Sequence, residues 1–494
     1  MSMRTVIGLE IHAQLRTRSK AFCGCSAEEG GEPNTRTCPV CLGHPGALPV
    51  LNAAMPRATV LLGRATGCRI RPQTTFSRKH YFYPDLVKGY QITQHRDPIC
   101  EDGTLPYVDA DGRDTAVRIT RIHMEEDAAR MKHTAEATLV DYNRAGVPLL
   151  EIVTAPDFSR PADAAAFMRA MRQLLRWLDL CDGDMERGSL RCDANISLQR
   201  EDGSAGARSE IKNLNSFRGV ERALAWEEAR QRSCAMEGTP IETGTLLWDD
   251  DVRETRPMRG KESATEYHYL PEPDLPPVIV TGEMIADADR ALPELPWQRR
   301  KRFVSTCGLS AEDSALLTAE RGMADYFEDV LHLLGGEEAA AQEAANWISG
   351  EILREMHAHR RPQPGITAAR LVELLRCVRD GVVSTSAAKE ILPVLHDNPA
   401  PVEEIVDAMG LRQLRDDAAL RAMIDDVLRA HPAQLREYLG GKQKLFAFFM
   451  GQVMRRSGGA ADPNLLRRLL TVALDEAAAA GDAAAGDAAD GGPA

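Results

Sequence analysis

The chain has 494 residues, 44% of them hydrophobic and 27% charged, a balance that implies a folded chain of two to four domains and excludes a disordered or membrane-embedded one. Its net charge of −13 excludes a protein that coats nucleic acid indiscriminately, because such binding neutralises many phosphates with Lys and Arg, so any RNA contact must be local. Eleven cysteines, with no signal-peptide pattern and no apolar run near the roughly 20 residues of a spanning helix, point to a cytoplasmic chain with reduced thiols and a metal site rather than a disulfide framework.

From Thr5 to Arg16, strict alternation places Ile7, Leu9, Ile11, Ala13 and Leu15 on one face of a strand and Glu10, His12, Gln14 and Arg16 on the other. Taken alone, this is either a solvated strand face or a pair of metal ligands. Next come Cys23-Gly24-Cys25 and Cys38-Pro39-Val40-Cys41, separated by a loop with Gly30, Gly31, Pro33 and Asn34. Two close thiol pairs suit tetrahedral Zn²⁺, and four thiolates would close the site and make it structural. The first pair is tighter than usual, and four unrelated reduced thiols are the other reading. The remaining cysteines read as small buried hydrophobes.

In RITRIHMEEDAAR, Ile122 and Met124 alternate against Arg121, His123 and Glu125. Glu151 then stands alone in the apolar run Val147 to Val153, where an uncompensated charge costs several kcal/mol, so it requires a cation or a proton. A helix follows, capped at Ser159 and entered at Pro161, with Phe167, Met171, Leu174, Leu175 and Leu178 on one face. Further strands alternate Leu190, Cys192, Ala194 and Ile196 with Arg191, Asp193, Asn195 and Ser197, and place Glu210 and Lys212 on either side of Ile211.

A sheet face carrying several carboxylates, an imidazole and scattered Arg and Lys matches the needs of Mg-ATP chemistry: hard oxygen ligands for Mg²⁺ and cations for the phosphates. An acid-rich solvated face has the same pattern. Neither a Gly-x-x-x-x-Gly-Lys-Ser/Thr loop nor a kinase Gly-rich loop is present.

Residues 1–291 therefore read as an α+β domain with an antiparallel sheet. At Leu292 the stretch LPELPWQRRKRF reads as a Pro-bounded linker into a helical domain, 292–398. A break at His396 to Pro401 precedes a second helical domain, 399–478. The Ala, Gly and Asp-rich residues 479–494 read as a disordered tail.

Long blocks in these segments resemble the GatB family, the B subunits of glutamyl/aspartyl-tRNA amidotransferases. They include VIGLEIHAQL, HPGALPVLN, RKHYFYPDLVKGYQITQ, HMEEDAAR, DYNRAGVPLLEIVTAPD, GSLRCDANIS, EIKNLNSF, TRPMRGKESATEYHYLPEPDLPP and GQVMRRSGGAADPNLL. The resemblance implies a cradle-shaped catalytic domain of the glutamine synthetase type followed by two all-helical domains. It implies that ATP phosphorylates the side-chain carboxylate of Glu-tRNA(Gln) or Asp-tRNA(Asn). Ammonia would come through a channel from a glutaminase A subunit, in a heterotrimer tied together by a small C subunit.

The family's Mg²⁺ role falls on His12, Glu125 and Glu151, with Glu10 on the same strand face. Lys79, Tyr81, Lys88, Asp193, Glu210 and Lys212 become phosphate contacts or lining for the ammonia route, or else solvated strand positions. Arg256, Arg259 and Lys261 form a basic run for ATP phosphates or the tRNA end, or else a surface loop. Lys442, Lys444, Arg455, Arg456, Arg467 and Arg468 would meet the tRNA body by shape and backbone.

The chain departs from the family in lacking a lysine in Gly458-Gly459-Ala460-Ala461-Asp462-Pro463 and in carrying His80 where Asn is common. Some members lack the four cysteines, which favours a structural zinc. The alternatives are a free-standing ATP-dependent carboxylate-amine ligase, active without partners, and a noncatalytic tRNA-binding adaptor, insensitive to loss of Glu125 or Glu151.

Overall fold

The computed structural model describes residues 3–200, 204, 206–258, 267–336 and 338–487. Arg259 and Lys261 of the expected basic run lie outside them. The chain divides into two compact units, Met1–Phe303 with Thr318–Arg321, and Val304–Leu317 with Gly322–Ala494.

The first unit is mixed α/β. Its strands begin with β1 (Met3–Gln14), β2 (Arg69–Ile70), β3 (Gln73–Thr74), β4 (Ser77–His80), β5 (Tyr90–Thr93) and β6 (Cys100–Val108). They continue with β7 (Asp114–Glu126), β8 (Arg130–His133), β9 (Thr138–Asp141), β10 (Pro148–Thr154) and β11 (Leu190–Arg200). The last are β12 (Ser209–Leu214), β13 (Gly244–Asp249), β14 (Glu254–Pro257), β15 (His268–Pro271) and β16 (Val278–Ile279). Nine of them form one sheet in the order β14-β13-β12-β11-β1-β10-β7-β6-β2. Every neighbouring pair in it is antiparallel except β12 and β13. A small sheet, β15-β4-β5, stands beside it.

Burial alternates along β1 as the pattern requires: Ile7, Leu9, Ile11 and Ala13 are buried, while Glu10, His12 and Gln14 are half-buried. The apolar face packs against helices α1 (Ala54–Ala65), α2 (Pro161–Trp177) and α3 (Phe217–Glu237). On α2 the residues Phe167, Met171, Leu174 and Leu175 are fully buried, each contributing roughly 1.5–3 kcal/mol. Pro161 opens this helix, but its N-cap is Arg160, not Ser159. No side-chain oxygen caps it; instead Arg160 Nε donates to Asp163 in the first turn, at 2.8 Å.

The stretch expected as a linker is helical from Pro296 to Cys307. Pro296 takes the first helical position, where no backbone N–H is needed, and residues up to Phe303 belong to the first unit. The second unit is built of helices, among them Arg321–Leu333, Ala368–Arg379 and Val402–Ala408. Its last helices, Asp417–Ala430, Leu445–Arg456 and Pro463–Asp487, share a core containing Leu420, Ile424, Phe449, Val453, Leu466 and Leu470. The final helix runs on through 479–487, part of the Ala-rich stretch read from composition as a tail: alanine is the best helix former, and the run continues a helix already nucleated. No helix among the described residues is long and apolar enough to cross a membrane.

Candidate active site and metal centre

Antiparallel register turns four separate sequence segments into one polar face. Directly opposed residues share a side of the sheet, and three rows result. Asp193, Glu10 and Arg121 lie in one, with Val153 between the last two; Arg191, His12, Glu151 and His123 lie in the next; Gln14, Leu149 and Glu125 lie in the third.

At the centre, His12 Nε2 is 3.5 Å from Glu151, 3.6 Å from Glu10 and 4.0 Å from Glu125. His123 Nε2 is 3.2 Å from Glu125 and 3.6 Å from Glu151. The candidate ligand atoms of Glu10, His12 and Glu151, and those of His123, Glu125 and Glu151, lie within 4.8 Å of one another in each group. The expectation of a single imidazole is therefore corrected to two. His123 carries its own signal in the sequence: it stands two residues before Glu125 on the same strand face.

The expectation that Glu151 needs compensation is met by geometry. Its side chain is 6% exposed and faces Arg121 Nη2 at 3.3 Å besides the two imidazoles. Burial opposes its charge, yet His123, His12 and Arg121 outweigh that and hold the carboxyl below its usual range. For Glu125, burial and the Glu151 charge push the same way, but His123 and Lys79 bring the net shift down. Its oxygens also accept from Thr93 Oγ1 at 2.6 Å and Gln91 Nε2 at 3.2 Å, both on β5. Burial disfavours the His12 imidazolium, but the hydrogen bond and charge of Glu151 leave its pKa raised. Glu10 is raised by burial first and by Glu151 second. Carboxylates crowded this closely repel unless cations stand among them, which is the electrostatic setting of a divalent-ion site.

Other expected residues form a rim. Lys212 Nζ bridges Asp193 at 2.5 Å and Glu210 at 3.0 Å, and Thr245 Oγ1 donates to Glu210. Lys79, on β4, lies 4.6 Å from the ring centre of Tyr267 and is kept protonated, against burial, by Glu125. Tyr81 meets Tyr267 edge to face. Arg256 is not gathered in. It pairs with Asp249 at 3.2 Å on the edge strand β14, four places from β1, or about 19 Å at ordinary strand spacing.

Behind Glu125, the next residue of β7 faces a different space. Glu126 pairs with Lys88 and accepts from Ile92 N–H at 3.0 Å. Both charged groups line a pocket of about 190 Å³ that also touches Lys20, Tyr90, Cys23 and Cys41.

The four cysteines converge as expected, with their sulfurs within 4.8 Å of one another. Cys38 and Cys41 Sγ are 3.9 Å apart, close to the roughly 3.8 Å separation that tetrahedral Zn–S bonds of about 2.3 Å would give. Cys38 N–H points at Cys41 Sγ, 3.2 Å away. Lys20, fully buried, places Nζ 3.7 Å from the same sulfur. Hydrogen bonding from Cys23 and the Lys20 charge pull the Cys41 thiol down to about 4, while sharing that proton pushes Cys23 up. The cluster can hold a metal ion.

In the second unit, Lys442, Lys444, Arg455, Arg456, Arg467 and Arg468 are all exposed. Lys442 pairs with Glu437 at 3.0 Å and Arg456 with Asp426 at 2.6 Å, so part of this charge is neutralised within the unit.

Comparison with known proteins agrees in both regions. Residues 5–286 match the GatB/GatE catalytic domain, and residues 325–474 match the GatB domain. The B subunit of the aspartyl/glutamyl-tRNA(Asn/Gln) amidotransferase of Thermomicrobium roseum is 47% identical over 96% of this chain and 99% of its own length. The proteins of the same name from Chlorobaculum tepidum, 44% identical over 96% of this chain and 100% of theirs, and Myxococcus xanthus, 47% over 94% and 97%, are similar throughout. With matches of this extent, the chain belongs to the GatB family.

Proposed function

We propose that this chain is the B subunit of an ATP-dependent aminoacyl-tRNA amidotransferase, a carbon-nitrogen ligase that amidates the side-chain carboxylate of Glu-tRNA(Gln), Asp-tRNA(Asn) or both. The observation that carries this is the acid-imidazole cluster of Glu10, His12, His123, Glu125 and Glu151, ringed by Lys79, Arg121, Arg191 and Lys212.

The donor set fits a divalent cation. Three carboxylates offer hard oxygens suited to Mg²⁺, and the buried Nδ1 of His123 has no hydrogen-bond partner among the described residues, while its Nε2 faces Glu125 and Glu151. His12, Glu125 and Glu151 would hold Mg²⁺, with Glu10 and His123 beside them. When bound, the ion supplies charge stabilisation for the phosphoryl oxygens.

The chemistry asks for two displacements. A side-chain carboxylate oxygen attacks the γ-phosphorus of ATP, the bond to the β-phosphate oxygen breaks, and ADP leaves. Ammonia then adds to the acyl carbon, the bond to the phosphate oxygen breaks, and the proton lost by nitrogen leaves with phosphate. Lys79 and Lys212 neutralise phosphate oxygens during the first displacement. The Lys88-Glu126 pocket would deliver ammonia made from glutamine by an A subunit, with a C subunit completing the heterotrimer.

In this reading the first unit is the glutamine synthetase-like cradle. The second unit comprises a helical domain up to about residue 398 and a tRNA-binding tail domain beyond it, and the cysteine cluster holds a structural Zn²⁺. The deciding experiment is ATP turnover and amide formation by the complex reconstituted with A and C subunits, with and without misacylated tRNA. Turnover that depends on misacylated tRNA and disappears in Glu125→Ala and Glu151→Ala, while tRNA binding survives, supports the proposal. Activity retained in both variants makes the chain an adaptor, and amidation of free glutamate without tRNA makes it a free-standing ligase.

A further inference from the structure

Arg191 has no role in the chemistry described so far, yet it occupies the same cross-strand row as His12, Glu151 and His123. From β11 its side chain reaches across the polar face to Asp127, where Nη2 donates to Oδ1 at 2.9 Å. Among the described residues no other hydrogen bond of its guanidinium is found, although its side chain is only 34% exposed. A guanidinium carries five N–H groups, so most of its donors remain available to a ligand on the cluster side.

The pair with Asp127 uses one donor of this arginine and leaves the others over. The Asp127 side chain is 2% exposed, and it also accepts from Gln14 Nε2 at 2.6 Å and from Ala128 N–H at 2.8 Å, with Arg144 Nε at 3.7 Å. Against burial, Arg191 is the foremost of the charges that keep this carboxylate ionised, ahead of Arg144. In turn Asp127, held also by Gln14, Ala128 and Arg144, fixes where the guanidinium stands.

That position has a direction. Asp127 follows Glu126, whose carboxylate lines the Lys88 pocket. Arg191 thus borders the cluster at the end nearest that pocket, while Glu10, Asp193 and Lys212 lie further along the strands. If nitrogen arrives from the pocket and phosphate sits by Lys79 and Lys212, the carboxylate that receives both must lie between them, beside Arg191. A planar guanidinium edge matches the two oxygens of a carboxylate better than a tetrahedral phosphate held by point-charge lysines.

We propose that Arg191, positioned by Asp127, binds the side-chain carboxylate of the glutamate or aspartate carried by tRNA and so selects the acidic aminoacyl group. This rests on the amidation reading above. The test uses the reconstituted three-subunit complex with Arg191→Lys, which keeps a cation beside Asp127, and Arg191→Ala, assayed with and without added guanidinium.

The expected result is a KM for Glu-tRNA(Gln) raised on the order of ten- to a hundredfold, the usual weight of a hydrogen bond to a charged group. The KM for ATP and the affinity for uncharged tRNA should stay at wild-type values, and guanidinium should partly restore Arg191→Ala. A raised KM for ATP instead assigns Arg191 to the phosphates and overturns the proposal. Unchanged kinetics, or equal loss of binding for charged and uncharged tRNA, overturns it as well. A wild-type complex that shows no tRNA-dependent amidation would be a failure of the amidation reading, seen before any variant is compared.

Discussion

Replacing Glu151 by Gln separates the electrostatics of the cluster from its chemistry. The substitution keeps the shape of the side chain and removes one charge. It weakens contacts to Arg121 at 3.3 Å, His12 at 3.5 Å and His123 at 3.6 Å, and breaking a buried pair commonly costs about 3–5 kcal/mol. In the opposite direction, Glu151 is the neighbour that most raises Glu125 among its charged contacts, and the first charged group raising Glu10, so repulsion at both is relieved. The two effects oppose, and we expect a net stability change within about 2 kcal/mol. For a unit of this size that corresponds to a melting shift of no more than roughly 4–8 °C. The chemical step has no such compensation. Loss of a carboxylate from a site stabilising phosphoryl charge is expected to remove about 3–4 kcal/mol, roughly a hundred- to a thousandfold in rate. Thermal melting of the chain and amide formation by the reconstituted complex, measured on the same preparations, check both halves. Activity above about a tenth of wild type, on the same rate scale, would refute the assignment; a collapse of the melting temperature by well over the stated range would show that Glu151 serves the fold rather than the reaction.

Glu227 on α3 tests a purely architectural acid. It is fully buried and accepts from Ser209 Oγ at 2.8 Å, Gln231 Nε2 at 2.9 Å, Thr255 Oγ1 at 3.1 Å and Arg230 Nη2 at 2.6 Å. Glu227→Ala is therefore expected to destabilise the first unit by about 3–5 kcal/mol in denaturant titrations, since four donors lose their acceptor. Burial opposes the charge of Glu227, but Arg230 with Gln231 and Ser209 holds its pKa below the ordinary value. Its contribution is thus complete above the unfolded Glu pKa and lost as pH falls through the folded one; wild type should lose stability on acidification more steeply than Glu227→Gln. Metal analysis of reduced protein should find one zinc per chain, falling well below one in Cys41→Ser; no zinc in the wild type would remove that assignment. Arg467→Glu with Arg468→Glu should weaken tRNA binding and lower its salt dependence by about one unit of slope per lost phosphate contact, with ATP affinity unchanged; an unaltered salt slope would place the tRNA elsewhere.

How much of the site is legible in the sequence follows from the range of each signal. The alternation in β1, β7, β10 and β11 is visible because a strand's period is local. The cysteine cluster is visible because all four thiols fall between Cys23 and Cys41. The pairing is not: which strand lies opposite which is decided by contacts more than a hundred residues apart, as for His12 beside Glu151 and Arg191. Thr93 and Gln91 carry no sequence signal for the same reason, since β5 belongs to another sheet. His123 is legible in position but not in weight. Arg256 stands apart from the cluster, and a basic run does not disclose that its strand lies on the sheet edge. Pro296 has the pattern of a breaker yet opens a helix, and the alanines after residue 478 have the composition of a loose tail yet extend one.

The consecutive acids Glu125 and Glu126 end β7 and serve opposite compartments, one the imidazole cluster and the other the lysine-lined pocket. Slippage of β7 by a single residue would exchange them, moving a pocket acid into the cluster and a cluster acid out of it. This strand therefore tolerates substitution along its outer half far better than any insertion or deletion. Length changes between homologous chains should accumulate in its flanking turn, Asp109 to Arg113, where a closed hydrogen-bonded loop can absorb them without disturbing the partition.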